Sequence, residues 1–510
     1  MAKNVQLDQN GKPKFGIWDK LAYAAGDLGC NMSFGLKSTV QTFWLAYMMI
    51  ETGLFSVLLL IVQIWDAIND PVIGAMIDAD RRKYKMGKFK TYIFIGALGL
   101  IVGGAAVFLP FPEADVVVKA ILFIVGYIIW DAAYTTANVP YGSMLSLVTE
   151  DAGERAQLSS WRSIGSGIGN ILPGVILPML IWQKVFDENG NPVINPETEV
   201  QEQILLGDRV FWAALLMGAI GFVCFFFMIK KITLRVDENT VKTQENGEKF
   251  NIITAFANFF KNRPAVGATV AAMGMFLGMQ SASTASTIMF ATYFGMADLS
   301  GLVMLVGFVP AFAFIPFIKK IVDKYGKKEA SVVGTLVSLG GGLIMMIFPM
   351  IPDRMLSLVV FMIGLVAFGL GMGVYTCVSW ALMADAIDYN EWKTGKREEG
   401  TVYSLHSFFR KLAQGIGPSA VIFIMGLLGY VSEKGTGGQS LATASNMCWL
   451  VGSLYLFSAI CMFVGLAFIY NLDKKTMATM TAELQARHNG TEPTECADVC
   501  EETVEVADEI

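Results

Sequence analysis

Runs of about twenty apolar residues, separated by short polar breaks, recur along the whole chain, and nothing constrains its fold more than this. A hydrocarbon slab of about 30 Å is crossed by roughly 20 helical residues. The runs predict twelve helices, at 20–50, 53–78, 91–111, 117–148, 161–186, 207–230, 264–294, 298–318, 330–351, 355–385, 400–430 and 444–471. The first, fourth, seventh and eleventh are weak by hydropathy because polar residues interrupt them. Composition agrees: 54% of the 510 residues are hydrophobic and 16% charged, against about 45–50% and about 25% in soluble domains. The expected class is all-α and integral to a membrane. A chain of soluble domains, a disordered chain, a disulfide scaffold and a nucleic-acid binder are excluded; the net charge is -6. The seven Cys are scattered and the two His, His406 and His488, stand far apart, so zinc and haem centres are excluded too.

Residues 1–20 are polar, with Lys3, Lys12, Lys14 and Lys20, and lack the apolar core of a cleavable signal. Placing the N-terminus in the cytoplasm puts thirty of the 38 Lys and Arg on the inner side. Five fall outside: Lys119, Lys184, Arg209, Arg354 and Lys434. By the positive-inside rule both termini are expected in the cytoplasm of a cell-membrane, multi-pass protein. The chain divides into a segment 1–19, a six-helix half 20–230, a polar cytoplasmic loop 231–263, a second six-helix half 264–472 and an acidic tail 473–510. Asp78-Ala-Asp-Arg81…Gly87-Lys88 is echoed by Asp323-Lys324-Tyr-Gly326-Lys327, and Gly153-Glu154-Arg155 by Lys396-Arg397-Glu398, which indicates an internal duplication. Two such halves resemble the major facilitator plan, with a cavity expected between them near mid-membrane. The tail is expected to be solvated, with a short helix near 476–487.

The polar residues inside the helices form stripes. Helix 1 aligns Tyr23, Asp27, Asn31, Phe34, Ser38 and Gln41; helix 4 aligns Tyr127, Asp131, Tyr134, Asn138 and Tyr141; helix 5 aligns Arg162, Ser166, Asn170 and Pro173. All follow the helical period. Helix 7 gathers Gln280, Ser281, Ser283, Thr284, Ser286 and Thr287, which close helix packing explains as readily as function. Ionisable groups in a bilayer are costly unless paired or facing water. Aromatic faces beside hydrogen-bonding groups suit a sugar, whose ring has an apolar face and a hydroxylated rim. The sharpest feature is Ile64-Trp65-Asp66-Ala67-Ile68-Asn69-Asp70-Pro71 in helix 2. Asp66 and Asp70 are i,i+4, which brings the two carboxylates to one face, about 6 Å apart at Cβ. Each wants a counter-ion or a proton, and oxygen donors suit a hard cation.

Three segments carry a family resemblance: IWDAINDPVIG at 64–74, the basic loop ending GKFK, and DYNEWKTGKREEG at 388–400. They resemble the glycoside–pentoside–hexuronide:cation symporters of the major facilitator superfamily, over roughly 20–470. The resemblance implies a cation site from Asp66, Asn69, Asp70 and Thr135, the ion being Na⁺, H⁺ or Li⁺. Asp66 and Asp70 would be its ligands if it is an alkali metal. It implies a sugar site drawing on Asp27, Asn31, Tyr134, Asn138, Arg162, Trp380 and Lys411. Asn138 and Asn31 stand where the family's melibiose carriers have Asp, Cys30 where they have Lys, and Gly142 where they have Trp. These departures keep the transporter and weaken melibiose as its substrate. Arg162, Arg410 and Lys411 would suit a uronic acid or a neutral glycoside alike. Lys411 is expected to be the counter-charge of Asp66 and Asp70 when no cation is bound.

The expected protein is therefore a cation-coupled sugar symporter working by alternating access. It is not an enzyme, needs no cofactor, and is assumed to act as a monomer in the lipid bilayer. Its partners are a small sugar or glycoside and a coupling cation, with no nucleic acid. A major facilitator carrier of a non-sugar solute and a non-transporting sugar sensor are the alternatives. Glycine runs such as GALGLIVGG lack the lysine of a phosphate-binding loop, which argues against an ATP-driven pump. Lone His406 reads as a packing residue, Tyr375 and Trp380 as packing or sugar-flanking aromatics, and Lys37 has no assigned role.

Overall fold

A computed structural model of the chain describes residues 13–80, 82–149, 151–236, 252–311, 317–395 and 399–489. Lys3, Lys12, Arg81, residues 237–251 of the central loop, the Lys396-Arg397-Glu398 echo and the acidic end 490–510 lie outside the described residues. The protein is helical almost throughout. In order come α1 (Ile17–Phe34), α2 (Lys37–Thr42), α3 (Thr52–Ala79), α4 (Lys88–Val107), α5 (Val116–Val148), α6 (Ala152–Ile171) and α7 (Leu177–Ile181). A two-stranded antiparallel hairpin follows, β1 (Trp182–Lys184) with β2 (Gln203–Leu205). Then come α8 (Gly207–Lys231), α9 (Ile252–Lys261), α10 (Arg263–Met289), α11 (Ser300–Ala311), α12 (Ile318–Tyr325) and α13 (Lys327–Ile347). The last are α14 (Arg354–Thr394), α15 (Glu399–Leu427), α16 (Leu441–Val464) and α17 (Lys474–Asn489). Among the described residues nine helices are long and apolar enough to cross a membrane.

The expected weak helices are corrected in detail. The fourth and seventh, at Val116–Val148 and Arg263–Phe294, meet the span criterion after all. The first and the eleventh do not, and neither does the eighth, whose described part is the short Ala297–Ala311. Helix 1 is not continuous over 20–50. It breaks at Gly35-Leu36, restarts as α2, and runs into a π-helical turn at Phe43–Tyr47. Helix 5 has a π turn of its own at Leu172–Ile176 and ends at Ile181, where the chain turns into β1.

The helices form two compact units. Unit 1 comprises residues 1–247, 280–305 and 414–451; unit 2 comprises 248–279, 306–413 and 452–510. In unit 1, α4 packs closely along α5, α1 packs on α6 and α8, and α3 lies on α5. Lipid offers no hydrophobic drive for helix association, so close backbone approach through small residues takes its place. The α4–α5 seam shows it. A Cβ on Gly96 would lie 2.5 Å from the Ala137 amide nitrogen, and one on Gly103 would lie 2.5 Å from the Trp130 Cα. The β1–β2 segment is tied down at several points. Thr436 donates to the Gln203 carbonyl (2.8 Å), Gln203 donates to Asp298 (2.9 Å), and Asn195 donates to the carbonyls of Gly437 and Gln439.

In unit 2, α13 packs along α14, and α9 and α17 modify two sequence expectations. The loop 231–263 was expected to be merely polar. It contains α9, whose Phe259 is buried against Phe409 with 5.8 Å between ring centroids. The tail was expected to be solvated, but its first part is a helix docked by specific contacts. Trp392 Nε1 donates to Glu483 at 2.6 Å, Arg487 donates to the Trp392 carbonyl at 3.0 Å, and Met480 and Leu484 are buried. Met480 and Leu484, one turn apart, are the apolar residues that this docking buries.

In the α3–α4 loop, Asp80 accepts from the Tyr84 and Tyr92 hydroxyls and from the Arg82 amide. These donors hold its carboxyl down at about 2. Its hydrogen-bond partners are thus two tyrosines and a backbone amide; the Asp78 side chain lies outside the described residues.

The α4–α5 seam predicts a contrast between neighbours. Gly103→Val must push α4 off α5, an overpacking cost of about 1–3 kcal/mol. A Cβ on Gly104 meets nothing within 4 Å, so Gly104→Ala is the matched control. Melting of purified protein should show a clear drop for the first variant and none for the second.

Candidate functional site

The break in helix 1 sets the site. At its end α1 closes with the Gly35 amide bonded to the Asn31 carbonyl and the Leu36 amide to the Ser33 carbonyl. A Cβ on Gly35 would lie 2.3 Å from Pro173 Cγ, so the turn needs glycine there. Lys37, first residue of α2, reaches Asp66 of α3, with Nζ 3.2 Å from Oδ2. The same ammonium lies over the Phe34 ring at 5.1 Å, and Phe34 neighbours Tyr134 at 6.1 Å between centroids. Both members of the pair are largely buried, at 18% and 22% side-chain exposure. Lys37, the lysine to which the sequence assigned no role, is therefore a counter-charge of Asp66.

Asp66 and Asp70, one turn apart on α3, have different partners. Thr135 of α5 donates to Asp70 at 2.7 Å. Asn69, buried between them, donates to Asp131 at 3.2 Å and to Thr135 at 3.3 Å. The structure thus brings together the four residues implied for the cation and adds Asp131 and Lys37. The oxygen donors here are carboxylate and hydroxyl groups, which suit a hard cation or a proton. Among the described residues no group of three or more His, Cys, Asp or Glu is arranged to hold a metal ion. Pro71 follows Asp70 inside α3 and cannot donate the amide that would bond the Ala67 carbonyl.

A second cluster lies on α1, α5 and α6. Arg162 Nε bonds Asp27 Oδ1 at 2.9 Å, and the guanidinium lies over the Tyr141 ring at 5.1 Å. Tyr141 stacks on Tyr23 at 4.8 Å and donates to the Tyr23 carbonyl. Asn31 donates to Asp27 at 3.0 Å and accepts from Asn170 at 2.8 Å. Asn138 accepts from the Cys30 thiol at 3.6 Å. Asp27 is buried, while Arg162 is 39% exposed. The arrangement offers an aromatic face, a fixed fork of donors and several amides, the equipment for holding a hydroxylated ring. Asn170 and Tyr23, which stand in the predicted stripes, join this cluster without having been singled out as site residues.

Trp380 on α14 and Lys411 on α15 belong to unit 2. There Trp380 stacks on Tyr403 at 5.8 Å, and His406 bonds Thr269 at 2.8 Å as a satisfied side chain. Lys37 and Asp131 were the residues that sequence reasoning undervalued. A lysine in a predicted membrane helix demands a partner. The partner's identity depends on the break at Gly35, which hydropathy does not register.

Asp27 and Arg162 act as a unit, so their loss should be non-additive. Removing one partner leaves the other charge partly buried, at a cost of about 1–3 kcal/mol. Asp27→Asn and Arg162→Gln should each lower the melting temperature more than the double variant does. Equal and additive losses would show the pair to be energetically independent.

The sequence profile of the MFS/sugar transport protein family matches residues 22–474. YjmB of Bacillus subtilis, an uncharacterised symporter, is 28% identical over 492 residues, covering 95% of this chain and 98% of that protein. The glucuronide carrier protein homolog of Escherichia coli is 27% identical, covering 92% and 95%. Among solved structures, the D-xylose-proton symporter superposes with a TM-score of 0.55 at 15% identity, covering 87% of this chain and 96% of that one. At that identity the likeness concerns the fold alone. The fold is the major facilitator fold, and the protein is a multi-pass membrane transporter, not an enzyme. The chain belongs to the MFS/sugar transport protein family.

Proposed function

We propose that the protein is a secondary active carrier that imports a glycoside, pentoside or hexuronide by symport with Na⁺ or H⁺. One observation carries the reading: α5 serves two chemistries at once. Its Asp131 and Thr135 belong to the acidic cluster with Asp66, Asn69 and Asp70, while its Tyr134 and Asn138 border the Asp27–Arg162 cluster. An ordering event in either cluster fixes the same helix, and binding coupling of this kind is reciprocal. The relatives point the same way, being a symporter and a glucuronide carrier homolog by name.

The electrostatics give the coupling a cause. In the cation-free carrier Lys37 neutralises Asp66. A sodium ion or a proton arriving at the acids takes over that neutralisation and frees the ammonium, which already leans on Phe34 beside Tyr134. Cation binding is thereby transmitted toward the aromatic face where a sugar ring would lie. Alternating access then requires only that the cavity close when its charge is balanced, since bare carboxylates in a low-dielectric slab are costly.

The test is uptake of labelled glycosides and glucuronides into vesicles, with and without an inward sodium or proton gradient. Gradient-driven accumulation is expected in the wild type. Asp66→Asn should abolish accumulation while sparing downhill exchange. Accumulation at the wild-type level in that variant sinks the cation assignment. Lys37→Met removes a competing positive charge worth about 1.5–3 kcal/mol as a charged hydrogen bond. It should lower the half-saturating cation concentration about tenfold or more; an unchanged or raised value refutes the counter-charge role.

A further inference from the structure

Unit 2 contains a half-buried cation that is in no ion pair among the described residues. Arg410 of α15 lies over the Phe276 ring of α10 at 5.4 Å and over the Trp380 ring of α14 at 5.1 Å. Its Nε is buried and has no hydrogen-bond partner among the described residues. Lys37, Arg162, Arg235 and Lys327 each form an ion pair with an aspartate. Arg410 is in none of them. Two ring faces stabilise a guanidinium by cation–π attraction. They face its plane and not its edge, where the N–H donors point, and the buried Nε–H has no partner among the described residues.

One side of this box is open. Trp380 and Tyr403 stack at 5.8 Å with 25° between their planes, yet they remain 49% and 48% exposed. His406 closes another side and is engaged through Thr269, with its ring 6.0 Å from that of Trp380. It therefore fills a position beside the guanidinium without an acidic group. An accessible aromatic face beside an unquenched guanidinium edge matches one ligand class. That class is a sugar ring bearing a carboxylate, the ring stacking and the carboxylate taking the fork in a bidentate pair.

We infer that Arg410 is the anion-recognising residue of this carrier, and that its substrate is a carboxylated sugar of the hexuronate or hexuronide kind. This rests on the sugar-carrier reading above and narrows it. Arg162 is a poorer anchor for such a group because Asp27 already neutralises it. The sequence supports the choice only weakly, since Arg410 sits one residue from Lys411 in an amphipathic helix and nothing in the spacing distinguishes the two.

The experiment is calorimetric binding to the purified full-length protein with two ligands of one shape: methyl β-D-glucuronide and the uncharged methyl β-D-glucuronamide. Wild type should prefer the acid by about tenfold to a hundredfold, the range of a charge-assisted hydrogen bond. Arg410→Gln should bind the two alike, with the amide's affinity unchanged. Arg410→Lys keeps the charge and loses the fork, so it should retain a reduced preference for the acid. Equal binding of both ligands by wild type, or equal loss of both in Arg410→Gln, overturns the assignment. Should Arg410→Gln fail to fold, Arg410→Lys decides: identity with wild type, or parallel loss of both ligands, overturns it. Vesicle uptake separates the two levels. A glucuronide bound with the expected preference yet never transported refutes the carrier and leaves the anion site standing, while failure of both ligands to bind refutes the site.

Discussion

An ammonium and a carboxylate buried together in a membrane protein cannot be left to chance, and the Lys37–Asp66 pair organises what surrounds it. Each charge alone would cost several kcal/mol in the slab. Together, at 3.2 Å, they are tolerable. Reaching that distance requires α1 to stop at Phe34, the chain to turn through Gly35 and Leu36, and α2 to restart with Lys37 as its first residue. The turn in turn requires Pro173 to pack where a Cβ on Gly35 would be. Pro173 lies in the π turn of helix 5, and irregular helical turns of this kind gather at functional positions. Broken helix, wide turn and ion pair are one device.

Much of the fold was legible because the bilayer leaves few options. Every backbone polar group must be satisfied within a helix or a closed barrel, so the apolar runs translate directly into helices. The polar stripes were legible for the same reason: Asp27, Asn31 and Arg162 fall on facing stripes and do meet. What could not be read was pairing between elements. Asp66 and Asp70 share a face by spacing, yet their partners, Lys37 and Thr135, come from different helices. Lys37, to which neither spacing nor the resemblance gave a role, is bonded to Asp66. A helix break defeats a periodicity argument because it resets the phase. In α17, likewise, two apolar residues give little signal in a largely polar helix, yet Met480 and Leu484 are buried where it docks beside Trp392.

The contacts of unit 1 bear on the proposed coupling to a cation. Asp27 is answered by Arg162 and Asp66 by Lys37. Asp70 and Asp131 receive hydrogen bonds from Thr135 and Asn69, which are neutral donors. Hydrogen bonds stabilise an anion without cancelling its field, as a bound cation would. Proton and sodium would meet that demand differently. A proton needs only one carboxylate to take it, whereas a sodium ion needs several oxygens around it at once. Asn69 spends its amide nitrogen on Asp131 and Thr135, which leaves its carbonyl oxygen as the uncharged donor such a shell would use. Converting that one side chain to an acid would add charge, and converting it to a hydrocarbon would remove the oxygen. Under the proposed coupling, Asn69 is therefore a position at which the preference between the two ions would be set.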